Sequence, residues 1–131
     1  MKEKEFFDLL IREYRSETGT DPSEYSMGPY LDVYLKAYPA GKAEVRLTRK
    51  VCARILHEFM KNVMGYRDVE WDRAKALKDI YECRVCANSI AQVYEREIMK
   101  EYEPGVFGLD IIVSDEEAGS YIEKMINYEN T

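Results

Sequence analysis

Apolar residues recur three to four positions apart along most of this chain, the spacing that places them on one face of an α-helix. The first such run predicts a helix within residues 1–19 that stops before Gly19. A short helix is expected to begin at Pro29 and to end near Pro39-Ala40-Gly41. The stretch "VFGLDIIV" is the only candidate strand, and we interpret it as an extended loop. The pattern therefore predicts an all-α, mainly helical fold.

Two further helices carry clear start signals. Thr48 is placed as the N-cap of the most strongly periodic helix in the chain, which Gly65 is expected to close. Ser114 is placed as the N-cap of the last helix, with Glu117 completing a capping box. The remaining helical signals lie at residues 21–24, 71–77 and 83–98.

The layout of "YPAGKAEVRLTRKVC", residues 38–52, returns in "YEPGVFGLDIIVSDEEA", residues 102–118. The caps Thr48 and Ser114 are 66 positions apart, and the apolar positions behind each cap coincide at the same offset. Modules that repeat in this way usually bury their apolar faces against each other. We therefore divide a single domain, residues 1–131, into three parts: an N-terminal helix (1–19), a first repeat (21–65) and a second repeat (70–128).

These residues resemble the S-layer homology (SLH) family, whose module has a Tyr-Pro-Asp-Gly-x-Phe loop and a helix opened by Ile-Thr-Arg-Ala-Glu. The first repeat offers "YPAG" and "LTRKVCARILHEF", and the second offers "YEPGVFGLD" and "VSDEEAGSYIEKM". The "KDI" around Asp79 is similar to the Phe-x-Asp-Val that opens the family's module. The resemblance covers residues 21–128.

The resemblance implies two SLH-like helix–loop–helix units packed as a small bundle. Such modules usually occur in threes and anchor proteins to cell-wall polysaccharide carrying pyruvylated sugar, with the Arg of Thr-Arg-Ala-Glu among the ligand contacts. This chain has two copies; the first keeps Thr48 and Arg49, and the second has Asp115 in place of the Arg. A homodimer is one way to replace the missing third unit.

The cations around Thr48 form the candidate ligand site. A helix N-terminus carries unpaired N–H groups and a partial positive charge, and Arg49 could hold a carboxylate in bidentate fashion. Arg46 and Lys50 add positive charge beside it. The three acidic residues that follow Ser114 would repel an anion, so we expect the site in the first repeat only. The alternative is that these cations are solvated or pair with the protein's carboxylates.

The motif "CRVC", Cys83 to Cys86, admits three interpretations. It could supply two zinc ligands, with Cys52 and the single histidine, His57, as the others. It could be a redox pair at a helix start, although the βαβ pattern of thioredoxin-like proteins is absent. We prefer the third interpretation, core packing without any cofactor, because cysteines are commonly buried. The odd total of three cysteines favours a reducing compartment over a disulfide framework.

The net charge and the lengths of the apolar runs argue against two classes of partner, nucleic acids and membranes. The net charge of −6 argues against nucleic-acid binding, and no apolar run is long enough for membrane insertion. The first residues lack a signal-peptide cleavage site, so the chain as written is expected in the cytoplasm, or at the cell surface if a leader was trimmed. No catalytic arrangement is suggested, since His57 stands alone on a periodic helix.

The leading hypothesis is a non-enzymatic SLH-like interaction module that binds anionic cell-wall polysaccharide. The alternative is an intracellular helical protein–protein adaptor, or a dimerisation domain, whose ligand site is degenerate. A zinc-binding or thiol-redox protein that uses the CxxC motif is the minor alternative.

Overall fold

Five α-helices and two 3-10 turns account for the regular structure in residues 1–36 and 44–128, the part of the chain that this computed structural model describes. The helices are α1 (Glu3–Thr18), α2 (Pro29–Lys36), α3 (Arg49–Asn62), α4 (Arg84–Glu95) and α5 (Asp115–Ile126), and the turns are Pro22–Glu24 and Ala74–Ala76. Within those residues, isolated β-bridges occur in place of strands. The predicted all-α fold is confirmed, while the predicted end of α2 at residues 39–41 lies outside the described residues. None of the described helices is long and apolar enough to cross a membrane.

Local sequence signals explain both ends of α1. The Glu5 carboxylate accepts a hydrogen bond from the backbone N–H of Lys2 at 2.9 Å and closes a capping box. Gly19 ends the helix in the left-handed conformation, with φ 76°, as predicted. The face that α1 buries consists of Phe6, Phe7 and Leu10.

The start signals at residues 21–24 and 71–77 each give a single 3-10 turn instead of an α-helix. Asp21 caps its turn by accepting a hydrogen bond from the Ser23 N–H at 3.0 Å. Tyr25 then adopts an extended conformation, with φ −128° and ψ 167°, and the turn stops there. Leu77 ends the second turn in the same way, with φ −69° and ψ 124°. A capping residue begins a turn, but propagation into a helix requires further residues that stay helical.

The helices α3 and α5 begin 66 positions apart, at residues 49 and 115, as the repeated sequence predicts. The four apolar pairs that coincide at this offset are all buried: Cys52 with Ala118, Ile55 with Tyr121, Leu56 with Ile122, and Phe59 with Met125. The helix α4 differs from the prediction, because it ends at Glu95, before Ile98. Glu97 adopts a φ of 59°, which is uncommon for a residue other than glycine, and turns the chain so that Ile98 is buried.

The helix α3 lies at the centre of the fold. It packs most extensively on α4 and also contacts α2 and α5, while α1 packs on α5. Ile55, Leu56 and Phe59 of α3 are fully buried, and burying each such side chain contributes about 1.5–3 kcal/mol. Tyr14 of α1 meets Phe59 edge-on, with ring centroids 5.0 Å apart. One hydrophobic core therefore joins α1 and both repeats.

Candidate functional site

Main-chain contacts from the second repeat occupy the start of α3. The N–H groups of Arg49 and Lys50 donate to carbonyls in the loop 109–111, at 2.9 and 3.0 Å. The Val51 N–H donates to the Thr48 side chain at 3.4 Å, so Thr48 is the N-cap, as predicted. Because these first N–H groups of the helix are already bonded, an anion has no access to them. This corrects the expectation of an anion site on the main chain of this helix terminus.

The Arg49 side chain is buried, with 4% of its surface exposed. Its Nε donates to the Phe107 carbonyl at 2.9 Å, its Nη1 donates to the Tyr121 hydroxyl at 2.9 Å, and its Nη2 donates to the Lys100 carbonyl. The guanidinium also lies over the Phe107 ring, with Cζ 4.6 Å from the ring centroid. These bonds use three of its five N–H groups. Arg49 therefore links α3 to α5 and to the loop before it, and is neither solvated nor paired directly with a carboxylate.

A carboxylate balances this buried cation through a tyrosine. The Tyr121 hydroxyl accepts from Arg49 and donates to Oε2 of Glu117 at 3.3 Å. Burial acts to raise the pKa of Glu117, but hydrogen bonds from Ser114 and Tyr121 and the charge of Arg49 outweigh it, so the pKa lies below its ordinary value. Burial raises the pKa of Tyr121, which keeps the phenol protonated and able to donate. The three side chains form a fixed charged network.

Asp79 holds the loop that receives Arg49. Its buried carboxylate accepts hydrogen bonds from the N–H groups of Phe107 at 2.9 Å and Gly108 at 2.8 Å. Gly108 has a φ of 86°, and a Cβ built there would lie 2.9 Å from the Cβ of Tyr102, so the position requires glycine. Asp79 therefore positions the Phe107 carbonyl to which Arg49 donates.

A cleft of about 250 Å³ opens beside the Arg49 guanidinium. Its lining consists of Arg49, Lys100, Glu101, Tyr102, Glu117, Tyr121 and Lys124. Lys100 and Lys124 are exposed, and within the described part of the chain neither ammonium has a carboxylate within 4.0 Å. Both carboxylates of the cleft are already bonded, since Glu101 accepts from the Gly105 N–H at 3.1 Å and Glu117 belongs to the capping box. Three cations thus face two carboxylates, and the cleft is locally positive in a protein of net charge −6.

The other residues of the predicted ligand site do not line this cleft. Lys50 donates to Oδ1 of Asp110 at 2.7 Å, so for this residue the pairing alternative holds. Arg46 is exposed and forms a β-bridge with Lys2. Thr48 is engaged as the N-cap.

Sequence reasoning missed Lys100, Tyr102 and Lys124. All three belong to the second repeat, which we set aside as an anion site because of the acidic residues after Ser114. The available signal was Tyr102, the first residue of the repeated stretch, with Lys100 two positions before it.

The predicted zinc ligands are not brought together. Cys83 and Cys86 form a disulfide, with Cα atoms 5.2 Å apart, which removes both thiolates and also corrects the expectation of reduced cysteines. Cys52 is fully buried in the core, and burial raises the pKa of its thiol far above the ordinary value. Across residues 1–36 and 44–128, no group of three or more His, Cys, Asp or Glu side chains could hold a metal ion.

His57 instead joins α3 to α4. Its Nδ1 lies 2.9 Å from Oγ of Ser89, and its Nε2 lies 2.7 Å from Oδ1 of Asp68. A hydroxyl, an imidazole and a carboxylate in series resemble a catalytic triad, which the sequence did not suggest. Ser89, however, is 4% exposed and lies in the middle of α4, where the main-chain N–H groups are bonded within the helix and cannot stabilise an oxyanion. We therefore interpret the series as a structural connection.

Polar side chains at the end of α4 hold the segment that joins α3 to α4. The side-chain amide of Gln92 accepts a hydrogen bond from the Val69 N–H and donates one to the Val69 carbonyl, each at 2.8 Å. The Glu95 carboxylate accepts hydrogen bonds from three successive N–H groups, those of residues 72–74, each at 2.9 Å. Arg96 donates to the carbonyl of Arg67. Side-chain hydrogen bonds therefore fix the path of a segment that contains only one short turn.

A second depression, of about 480 Å³, lies between α1 and α5. Its apolar lining consists of Leu9, Ile122 and Ile126, and its carboxylates are Glu13, Glu17 and Glu123. Gly119 borders the depression, and a Cβ built on it meets no atom within 4 Å. The surface is an acidic groove with an apolar lining.

No protein-family model, curated protein or solved structure matches the chain. The resemblance to SLH modules therefore rests on the sequence motifs alone.

Proposed function

We propose that the protein is a non-enzymatic interaction module whose cleft beside Arg49 binds an anionic cell-wall polysaccharide. The observation that carries the proposal is that the ammonium groups of Lys100 and Lys124, which have no carboxylate within 4.0 Å among residues 1–36 and 44–128, lie in the same cleft as the Arg49 guanidinium. The SLH resemblance supplies the expected ligand class, a sugar that carries a carboxylate.

The chemistry of the cleft suits such a ligand. An acidic sugar presents a carboxylate, which ammonium groups bind through charge-assisted hydrogen bonds, and an apolar ring face, which an aromatic side chain can cover. Tyr102 lines the cleft and is 56% exposed, so its ring is accessible for that contact. A positive cleft on an acidic protein also draws an anion to one place on the surface.

The role of Arg49 in this proposal is mainly to shape the cleft. Three of its N–H groups hold the Phe107 and Lys100 carbonyls and the Tyr121 hydroxyl. Removal of its side chain would therefore disturb the fold as well as the ligand site, and loss of binding by Arg49→Ala would not locate the ligand.

The test is co-sedimentation with purified bacterial cell-wall sacculi, with and without their wall polysaccharide. The double variant Lys100→Ala/Lys124→Ala is expected to bind about tenfold more weakly than wild type or worse, because it loses two charged contacts. The control Lys61→Ala/Lys75→Ala removes two exposed lysines outside the cleft and should bind like wild type. Equal binding by the two double variants, or binding that persists without the polysaccharide, would refute the proposal.

The groove between α1 and α5 supports a second candidate function, that of a protein–protein adaptor. Its apolar lining and its three carboxylates match an amphipathic helix with an apolar face and lysine or arginine on both sides of that face. A symmetric homodimer through this groove is disfavoured, because it would bring the same carboxylates of two copies together.

Gly119 offers a direct test of the adaptor function with a synthetic Leu- and Lys-rich helical peptide as the probe. Gly119→Leu should place an apolar side chain in the groove, since a Cβ at this position meets no atom within 4 Å, and should weaken peptide binding about tenfold, while its higher helix propensity favours the fold. Gly119→Ala is the control, since it gains helix propensity but occupies little of the groove. Peptide binding by Gly119→Leu at the strength of the alanine variant would exclude this groove.

A further inference from the structure

The Cys83–Cys86 disulfide lies at the start of α4. Cys83 is the N-cap residue of this helix, and Cys86 follows in the first turn. The side chain of Cys83 makes no capping hydrogen bond. Cys83 is partly exposed, whereas Cys86 is 5% exposed. Cys83 is therefore the more accessible of the two cysteines to an incoming thiolate.

The charges around this sulfur favour a thiolate. A helix N-terminus carries a partial positive charge, and α4 has no acidic residue in its first turn to offset it. Arg84 is exposed at the first position of the helix, and in the described part of the chain it has no salt bridge. Glu82 precedes Cys83 and is the carboxylate next to it in sequence.

Exposed apolar side chains flank the disulfide. Tyr81 is 66% exposed and Val85 is 68% exposed, which makes them two of the most exposed large apolar residues of the described chain. The ring of Trp71 lies 6.1 Å from that of Tyr81 and extends the apolar surface. Such a surface beside a reactive sulfur would contact an apolar segment of a polypeptide.

We propose that Cys83–Cys86 is a thiol–disulfide exchange site for a polypeptide dithiol whose cysteines lie next to apolar residues. A substrate thiolate attacks Sγ of Cys83; the Cys83–Cys86 bond breaks, and its electron pair leaves on Sγ of Cys86, which takes up a proton. The second substrate thiolate attacks the substrate sulfur of this mixed disulfide and releases Cys83 as a thiolate, which is then protonated. Two electrons and two protons pass from the substrate dithiol to the protein, and the substrate becomes a disulfide.

The remaining cysteine takes no part in this exchange, because Cys52 is fully buried. The site is also independent of the proposed polysaccharide cleft, whose lining contains none of these residues.

Trapping of the mixed disulfide tests which cysteine reacts. Cys86→Ser and Cys83→Ser are each incubated with a synthetic cyclic peptide disulfide that carries aromatic residues beside its cysteines, and protein–peptide adducts are followed by mass spectrometry. Cys86→Ser should accumulate the adduct on Cys83 about tenfold faster than Cys83→Ser accumulates it on Cys86. Equal rates, or no adduct on Cys86→Ser, would overturn the proposal.

The oxidised wild-type protein gives a second measurement that does not depend on the folding of a variant. Incubation with the reduced form of the same peptide should convert Cys83 and Cys86 to thiols while the peptide cyclises in equal amount. A disulfide that stays intact while the protein remains folded would show a structural cross-link and contradict the proposal.

The exposed apolar residues supply the test of substrate class. Tyr81→Ser/Val85→Ser should slow the reaction with the peptide about tenfold and leave the reaction with dithiothreitol unchanged, because the small dithiol does not need the apolar surface. Tyr25→Ser, which changes a residue that is 67% exposed, is the matched control and should alter neither rate. Equal slowing of both dithiols by the double variant would contradict a polypeptide substrate.

Discussion

The starts of α3 and α5 carry the same sequence pattern, yet different contacts complete them. At α5 the contacts are local, since Ser114 and Glu117 satisfy each other's N–H groups at 3.0 and 3.1 Å. At α3 the side-chain cap is a longer bond of 3.4 Å to the Val51 N–H, and carbonyls of the loop 109–111 accept the two N–H groups before it. The helix start that appeared free for a ligand is thus the one that tertiary contacts close.

The aligned residues Arg49 and Asp115 show the same contrast. Arg49 is 4% exposed, whereas the side chain of Asp115 is 82% exposed. The repeat offset equates the two positions, but α3 lies at the centre of the fold while the start of α5 faces solvent. Aligned local motifs therefore predict where a helix begins, and not the environment of the residue that follows its cap.

The largest difference in unfolding free energy should be that between alanine variants of Arg49 and Asp115. Arg49→Ala leaves the buried Phe107 carbonyl, the part-buried Lys100 carbonyl and the Tyr121 hydroxyl without their donor, so we expect a loss of about 3 kcal/mol in the free energy of unfolding. Asp115→Ala removes an exposed carboxylate at a helix start, together with its ion pair to the Met1 ammonium at 3.6 Å, and should cost about 0.5 kcal/mol. Urea denaturation followed by circular dichroism measures both values. Similar losses in the two variants would contradict the division of roles between the repeats.

Alanine variants of the two N-cap residues should differ less in their loss of stability. Here the variant in α5 should lose more than the variant in α3. Ser114→Ala breaks a capping box that supplies both N–H bonds at the start of α5, and it should cost about 1 kcal/mol. Thr48→Ala should cost about half as much, since loop carbonyls already accept two N–H groups at the start of α3. The same urea titrations provide the comparison. A larger loss for Thr48→Ala would show that its side chain, and not the loop, holds the start of α3.

The smallest effect should be a pH dependence that arises in the second repeat. The pKa of Glu117 in the folded protein lies below its ordinary value of 4.5, so the unfolded chain takes up a proton at a higher pH than the folded one. The stability that Glu117 contributes is present above pH 4.5 and is lost as the pH falls through its folded pKa. The pKa of Asp68 is also below its ordinary value, because hydrogen bonds from His57 and Asn88 outweigh the opposing effect of burial, and it adds a loss of the same sign.

Glu117→Gln should therefore flatten the fall in stability between about pH 5 and pH 3. The matched variant is Glu116→Gln, which changes the exposed neighbouring carboxylate and leaves the hydrogen bonds of Glu117 in place, so it should flatten the fall less than Glu117→Gln does. A slope that is the same in wild type and in Glu117→Gln would show that the hydrogen bonds of Glu117 do not favour its charged form.

The elements that the sequence predicted well depend on contacts between near neighbours. The caps Thr48 and Ser114 and the buried faces of α3 and α5 follow from residues three or four positions apart. The burial of Arg49 depends instead on carbonyls 51 and 58 positions away, and the partners of His57 lie 11 and 32 positions away. No residue pattern near Arg49 or His57 distinguishes a buried polar side chain from an exposed one.

The structure differs from the sequence-based prediction at two further points, the end of α4 and the state of Cys83 and Cys86. The helix α4 ended earlier than its apolar pattern predicted, because Glu97 adopts a positive φ that no propensity rule assigns to glutamate. The bond between Cys83 and Cys86 depends on oxidation state, which the spacing of two cysteines does not determine.

The most direct test of where the ligand binds compares the cations of the two repeats in one wall-binding assay. Arg46→Ala/Lys50→Ala removes two cations that the sequence placed in the ligand site, and Lys100→Ala/Lys124→Ala removes two that line the cleft. Both double variants change the net charge by the same amount, so each is the control for the other. We predict that the first binds sacculi carrying the wall polysaccharide like wild type and that the second binds about tenfold more weakly. Weaker binding by Arg46→Ala/Lys50→Ala, with normal binding by the other variant, would contradict the proposal that the polysaccharide binds in the cleft beside Arg49.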